Sequence, residues 1–277
     1  MNPDQFRAAL SGDDVLLNDV LLMGVLNVTP DSFSDGGRYL HVDAAVAHGM
    51  RLVAEGADIV DVGGESTRPG AQPVPADEEL RRVVPVVRNL RSAGIAVSID
   101  TRHAVVADAA VAAGACLLND VSGLRDPALR AVAARHDVPA VAMHMPVDDP
   151  AVMQQHTDYV DVVHDVVTFL RDHAALALAE GVPLVIVDPG IGFGKTIEQN
   201  LALVRRLDEL VELGHPVLLG ASRKRFIGVL TGVEDPEQRV AGTLAVHLAG
   251  VQRGARILRA HDVAAHRQAL AMWKALS

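Results

Sequence analysis

From Leu21 onward, short apolar runs alternate with longer stretches of helical periodicity, and this alternation restricts the fold more than any other feature of the chain. The runs begin near Leu22, Ile59, Ala96, Cys116, Ala140, Leu184, Val217 and Arg256, which makes eight. Near-continuous apolar stretches such as Pro183–Val187 and Pro216–Leu219 suit parallel strands covered on both faces. Between them, Leu80, Val83, Val84, Val87 and Leu90 keep helical spacing, as do Ile197, Leu201, Val204, Leu207 and Val211. Gly94, Gly114, Gly181 and Gly214 each stand where a helix would end before a strand begins.

Two architectures share this alternation, a doubly wound open sheet and a (β/α)8 TIM barrel. The polar residues that end the runs favour the barrel. They are Asn27, Asp61 to Glu65, Asp100, Asn119, His144, Asp188, Ser222 and Arg259 with His261. An open sheet concentrates its site at one switch point, whereas a barrel gathers all its strand ends on one face. The length of 277 residues suits one such α/β domain, with 1–20 as a lead-in and 21–277 as the barrel.

Composition narrows the partners. The net charge of −10 argues against nucleic acid or an anionic membrane surface, so any anion site must be local. No apolar stretch is long enough to span a bilayer. Asp4, Asp13 and Asp14 ahead of the first apolar run do not suit a signal peptide. Cys116 is the single cysteine, which fits a reducing, cytoplasmic setting and reads as an inert core thiol.

Several segments carry chemistry. The loop Asn27–Gly37 is long for a strand-to-helix connection and holds one aromatic, Phe33. It reads either as a binding loop or as a solvated turn with Phe33 tucked onto the barrel. In Gly63–Gly70, paired glycines allow close backbone approach, and Arg68 could bridge to a phosphate or carboxylate or lie on the surface. Asp100, Asn119 and Asp188 each end an apolar run. They could read the N–H and N edges of a heterocycle, or cap the helices that follow. Gly190–Thr196 fails as a phosphate loop because the required first glycine is Pro189; a flexible loop carrying Phe193 is the better reading. Arg223, Lys224 and Arg225 place three cations at one strand end, and Arg259 and His261 point the same way in extended chain. No His/Cys cluster has zinc-like spacing. A Mg²⁺ held by Asn27 and by substrate phosphate oxygens would suit a hard cation that keeps its waters. His41, His48 and His173 read as surface residues, and Asp262 as a cap for the last helix.

Taken together, Met23–Gly37, Asp61–Gly70, Ser98–Thr101, Asn119–Gly123, Asp188–Phe193, Ser222–Lys224 and Arg259–Asp262 strongly resemble, in order, the motifs of the dihydropteroate synthases. The resemblance implies condensation of 6-hydroxymethyl-7,8-dihydropterin diphosphate with 4-aminobenzoate, giving 7,8-dihydropteroate and pyrophosphate in folate biosynthesis. It implies that Asp100, Asn119, Asp188 and Lys224 hold the pterin, with Met143 and Phe193 lining its slot. Asn27, Arg259 and His261 would grip the diphosphate and Mg²⁺. Phe33, Thr67, Arg68, Pro69, Lys224 and Arg225 would surround the aminobenzoate. Asp100, Lys224 and Asn27 would then be catalytic, Asn27 the metal ligand, and the protein a homodimer through its outer helices. Two places depart from the family pattern: Pro146–Pro150 replaces a glycine-containing stretch, and Arg225 stands where serine is common. Rival readings are a pterin-dependent methyltransferase barrel, a Schiff-base aldolase acting through Lys224, and a degenerate pterin-binding barrel without catalysis.

Overall fold

In the computed structural model, residues 1–11, 20–29, 38–65, 73–147 and 153–276 are described. The chain runs α1 (Pro3–Ser11), β1 (Leu21–Asn27), α2 (Arg38–Ala54), β2 (Ile59–Gly63), α3 (Ala76–Ser92), β3 (Val97–Asp100), α4 (Ala104–Ala112), β4 (Leu117–Asp120), α5 (Pro127–Arg135), β5 (Ala140–Met143), α6 (Val162–Ala179), β6 (Val185–Asp188), α7 (Ile197–Arg205), α8 (Asp208–Val211), β7 (Leu218–Leu219), α9 (Arg225–Thr231), α10 (Val240–Gln252), β8 (Ile257–Ala260) and α11 (Val263–Leu276). Every strand begins within one residue of the apolar run that announced it.

All strand pairs are parallel, and β1 lies between β2 and β8. A bridge between Val187 and Val217 joins β6 to β7 and closes the ring. This is a single (β/α)8 TIM barrel; the open-sheet alternative is excluded because a closed ring has no switch point.

Alternation along the strands divides the apolar residues into two concentric cores. Leu21, Met23, Ile59, Ala96, Leu117, Val141, Ile186, Leu218 and Ile257 fill the barrel's lower interior. Their neighbours, including Leu22, Val60, Ile99, Leu118, Val185 and Leu258, face outward against helix residues such as Val83, Leu90, Leu170 and Leu203. The lead-in is not idle. Phe6, Ala9 and Leu10 of α1 pack beneath the inner core, and Ala96 N–H donates to the Met1 carbonyl. Full burial of a side chain the size of Phe6 contributes about 1.5–3 kcal/mol.

The periodic stretch from Ile197 to Val211 is two helices rather than one. It breaks at Arg206, whose guanidinium binds Asp161 and Glu209. Cys116 is half-buried at the start of β4, its Sγ 3.5 Å from the Val97 carbonyl, and burial raises the thiol pKa, in keeping with an inert thiol.

Candidate active site

Above the apolar plug, the inward strand positions turn polar. Asp61 on β2, Asn119 on β4, Asp188 on β6 and Arg259 on β8 stand over the inner core, with Asn27 and Asp100 at the strand ends. Arg259 spans the ring: its Nε donates to Asp61 Oδ2 at 2.6 Å and its Nη2 to Asp100 Oδ2 at 2.7 Å. Asn119 Nδ2 donates to the same Asp61 oxygen at 3.0 Å, while Asp61 Oδ1 is buried without a partner. Burial pushes the Asp100 carboxyl up to about 7, against the pull of Arg259. Burial draws the Arg259 guanidinium's pKa down, but Asp61 and Asp100 outweigh it and keep that pKa raised. Two carboxylates sharing one guanidinium leave this floor of the site net acidic, suited to a ring that carries N–H donors or developing positive charge.

Asp61 is legible in the sequence only as a strand-end residue, with no role attached to it. Its signal is a carboxylate inside the run Ile59–Val62, at an inward-facing position. Asp100, Asn119 and Asp188 do not cap helices. The helices that follow them have His103, Asp126 and Thr196 at their N-caps. Asp188 Oδ1 instead accepts from Gly190 N–H at 2.7 Å, and burial raises its carboxyl pKa.

The next wall is built by a buried lysine. Lys195 Nζ donates to the carbonyls of Gly190 (3.0 Å) and Phe193 (2.9 Å) and to His144 Nδ1 (3.0 Å), so each ammonium N–H meets an acceptor. Burial pulls the Lys195 ammonium down to about 7. Burial and then the charge of Lys195 drive His144 down to about 2, so its ring is neutral and accepts at Nδ1. Gly190 has φ +65, and a Cβ there would lie 1.9 Å from the His144 carbonyl oxygen, so only glycine permits this loop. The loop presents Phe193 beside Met143, Val121, Met145 and Met153. Lys224 Nζ lies 4.1 Å from the Phe193 ring centroid, a cation–π distance.

The three cations after β7 have three fates. Arg223 turns away to Asp262, with bonds of 3.0 and 2.6 Å, so its charge is neutralised within the protein. Lys224 faces the Phe193 wall, and Arg225 is exposed at the first position of α9. The Asp262 carboxylate is therefore committed to Arg223. Ser222 Oγ accepts the His261 N–H at 3.1 Å and lies 3.0 Å from His261 Nδ1. His173 is not a plain surface residue, since it stacks on Phe169 at 4.0 Å, and His48 is half-buried.

At the base of the second loop, Glu65 is held by Arg102 through two 3.1 Å bonds and accepts from Val74 N–H. Glu79 Oε2 lies 2.7 Å from His103 Nδ1. Glu65, Glu79 and His103 are close enough to share an ion, but Glu65 is already neutralised by Arg102. Phe33, Thr67, Arg68 and Pro69 lie outside the described residues, as does most of the divergent Pro146–Pro150 segment. Asn27 ends β1 in register with Gly63, whose missing Cβ leaves room for the Asp100 carboxylate, 3.6 Å from where that Cβ would stand. A single neutral hard oxygen at an open rim matches a cation that takes most of its ligands from phosphate and water.

A family model described as "Pterin binding enzyme" matches residues 23–261. The dihydropteroate synthase of Bacillus subtilis (strain 168) is 46% identical over 247 residues, which are 88% of this chain and 84% of that protein. A probable bifunctional folylpolyglutamate synthase/dihydropteroate synthase of Haloferax volcanii is 46% identical over 254 residues; the match takes in 91% of this chain and 30% of that longer protein. The crystal structure of dihydropteroate synthase from Thermus thermophilus in complex with 4-aminobenzoate superposes with a TM-score of 0.86 at 56% identity, covering 94% of this chain and 95% of that one.

Proposed function

We propose that the rim of this chain, which belongs to the pterin-binding enzyme family and acts as a dihydropteroate synthase, divides the reaction between an acidic pterin floor and a diphosphate end that offers N–H donors. The observation that carries this reading is Arg259, held between Asp61 and Asp100 while its chain neighbour His261 reaches the Ser222 turn. The enzyme joins 6-hydroxymethyl-7,8-dihydropterin diphosphate to 4-aminobenzoate, releasing pyrophosphate and 7,8-dihydropteroate.

Asp100, Asn119 and Asp188 receive the pterin edge, and Met143, Phe193 and Lys224 enclose its faces. The carbon that loses diphosphate gains positive charge, which the pterin ring shares. Ionised Asp100 favours that charge through space, so no serine or cysteine nucleophile is needed. Arg259 and His261 take the diphosphate; two of the five guanidinium N–H groups are fixed on carboxylates, which orients the rest. Asn27 and the diphosphate oxygens would hold Mg²⁺, which supplies charge neutralisation to the leaving group. The aminobenzoate enters beside Phe193, Lys224 and Arg225; the resemblance to the dihydropteroate synthases adds Phe33, Thr67, Arg68 and Pro69 to its contacts. Its amine attacks without activation by a base.

A homodimer through the outer helices and a cytoplasmic setting complete the proposal. No helix among the described residues is long and apolar enough to cross a membrane. The test is formation of dihydropteroate by the purified protein with both substrates and Mg²⁺. Asp100→Asn should lower kcat at least about a hundredfold while pyrophosphate affinity holds. A variant with unchanged kcat would refute the role of Asp100.

A further inference from the structure

Three side chains four residues apart, Arg239, Thr243 and His247, reach from the start and one face of α10 to the turn after β7. Thr243 Oγ1 accepts the Arg223 N–H at 3.1 Å, and Arg239 Nη1 donates to the Arg223 carbonyl at 3.0 Å. His247 Nε2 accepts the Ala221 N–H at 3.0 Å. Between these bonds Arg223 is held at φ +60, a left-handed conformation that costs a non-glycine residue about 1–3 kcal/mol. The turn is thus shaped from outside, by α10, and not by its own preference.

The contact continues beyond His247. Its Nδ1 lies 2.8 Å from His266 Nε2, and His266 Nδ1 lies 2.7 Å from the Asp262 carbonyl oxygen. Both rings are buried, each about 1% exposed. A backbone N–H can only donate, so His247 Nε2 must carry a lone pair and Nδ1 the proton. His247 then donates to His266, whose own proton must sit on Nδ1 to reach the carbonyl. Only one arrangement of protons satisfies all three bonds. Both rings are neutral in it.

The two ends of this chain of bonds are the two turns that carry site residues. The first turn holds Ser222 and Lys224, and the second holds His261 and Asp262. They also meet directly through Ser222 with His261 and Arg223 with Asp262. We infer that His247 and His266 are positioning residues for the reaction: a tautomer-matched relay that sets the distance between the Lys224 turn and the His261 turn, and so between the pterin wall and the diphosphate end. Apolar side chains of similar size would fill the same volume but could not bond the two turns. The inference rests on the reading that His261 and Arg259 take the diphosphate.

Long-range ¹⁵N–¹H NMR of the wild-type protein at neutral pH tests the relay itself. Both histidines should be neutral with the proton on Nδ1; an Nε2–H tautomer or an imidazolium at either position overturns it. Steady-state kinetics test the positioning. His247→Leu and His266→Leu should each raise KM for the pterin diphosphate about tenfold, and His247→Gln, which keeps an acceptor for Ala221 and a donor for His266, should return it to within about threefold. If either leucine variant folds and keeps the wild-type KM, the positioning role is lost. If His247→Leu does not fold, His266→Leu, which leaves the bond to Ala221 intact, decides in the same way. Calorimetry with Mg²⁺ and inorganic pyrophosphate separates the two readings: a wild-type protein that fails to bind it overturns the diphosphate assignment, while the NMR result still decides the relay.

Discussion

Arg259 and Asp61 lie 198 residues apart in sequence, yet a 2.6 Å bond joins them inside the barrel, with Asp61 fully buried. The same guanidinium holds Asp100, so removal of Arg259 strands two carboxylates at once. Arg259→Ala should cost about 3–5 kcal/mol of unfolding free energy, the penalty for leaving buried charge uncompensated. Asp61→Asn in that background should recover at least about 1 kcal/mol, because one stranded charge is gone. Urea denaturation of the two single variants and the double variant measures this. A double variant no more stable than Arg259→Ala alone would show that the two residues are not coupled.

Asp100 should make both activity and stability depend on pH. Its folded-state pKa is raised by burial to about 7, from an ordinary value near 3.8. The folded protein therefore binds more protons than the unfolded chain between those values. The stability contribution of this group is greatest below the lower value and declines as pH rises, until the full cost of a buried carboxylate is reached above about 7. Asp100→Asn should flatten this part of the stability profile. Activity should run the other way: kcat/KM should increase with pH up to about 7 as the carboxylate ionises. A pH–rate profile with no rising limb below neutrality would contradict it.

Lys195→Met should damage the pterin wall without touching substrate. The substitution leaves two carbonyls and His144 Nδ1 buried without their donor, at about 1–3 kcal/mol for each acceptor left unsatisfied. The loop that presents Phe193 loosens, so the unfolding temperature should fall and KM for the pterin substrate should rise, with kcat less affected. Thermal unfolding and initial-rate kinetics on the same preparation read both effects.

Gly190→Ala should be worse than its single methyl group suggests. The added Cβ would fall 1.9 Å from the His144 carbonyl oxygen, and the backbone is left-handed there. The obstructing atom is backbone rather than the flexible end of a side chain, so the loop itself must move. A loss above about 3 kcal/mol is expected, with activity falling as Phe193 shifts. An alanine variant of wild-type stability would show that the loop has a second conformation.

Asn27→Ala should separate metal from substrate. Pyrophosphate binding measured by calorimetry should weaken about tenfold in the presence of Mg²⁺ and little in its absence. Equal losses with and without the ion would assign Asn27 to the diphosphate alone.

The strand runs, their number and the inward ranks of Asp100, Asn119, Asp188 and Arg259 were legible from residue order, because a period of two and a buried parallel strand leave a local imprint. The family followed from motifs written in contiguous residues. What residue order could not show was pairing across the ring. Asp61 is marked in the sequence as a strand-end residue but has no role there; Arg259 and Asn119 supply one by meeting it from β8 and β4. Arg223 counted as a site cation until Asp262 took its charge. His247 and His266 sit on helices with no local mark at all, and Lys195 in what resembled a broken phosphate loop. Each has at least one bond to a group distant in sequence that only the folded barrel brings within about 3 Å. Strand order is encoded locally; hydrogen bonds and desolvation between distant residues exist only in the folded chain.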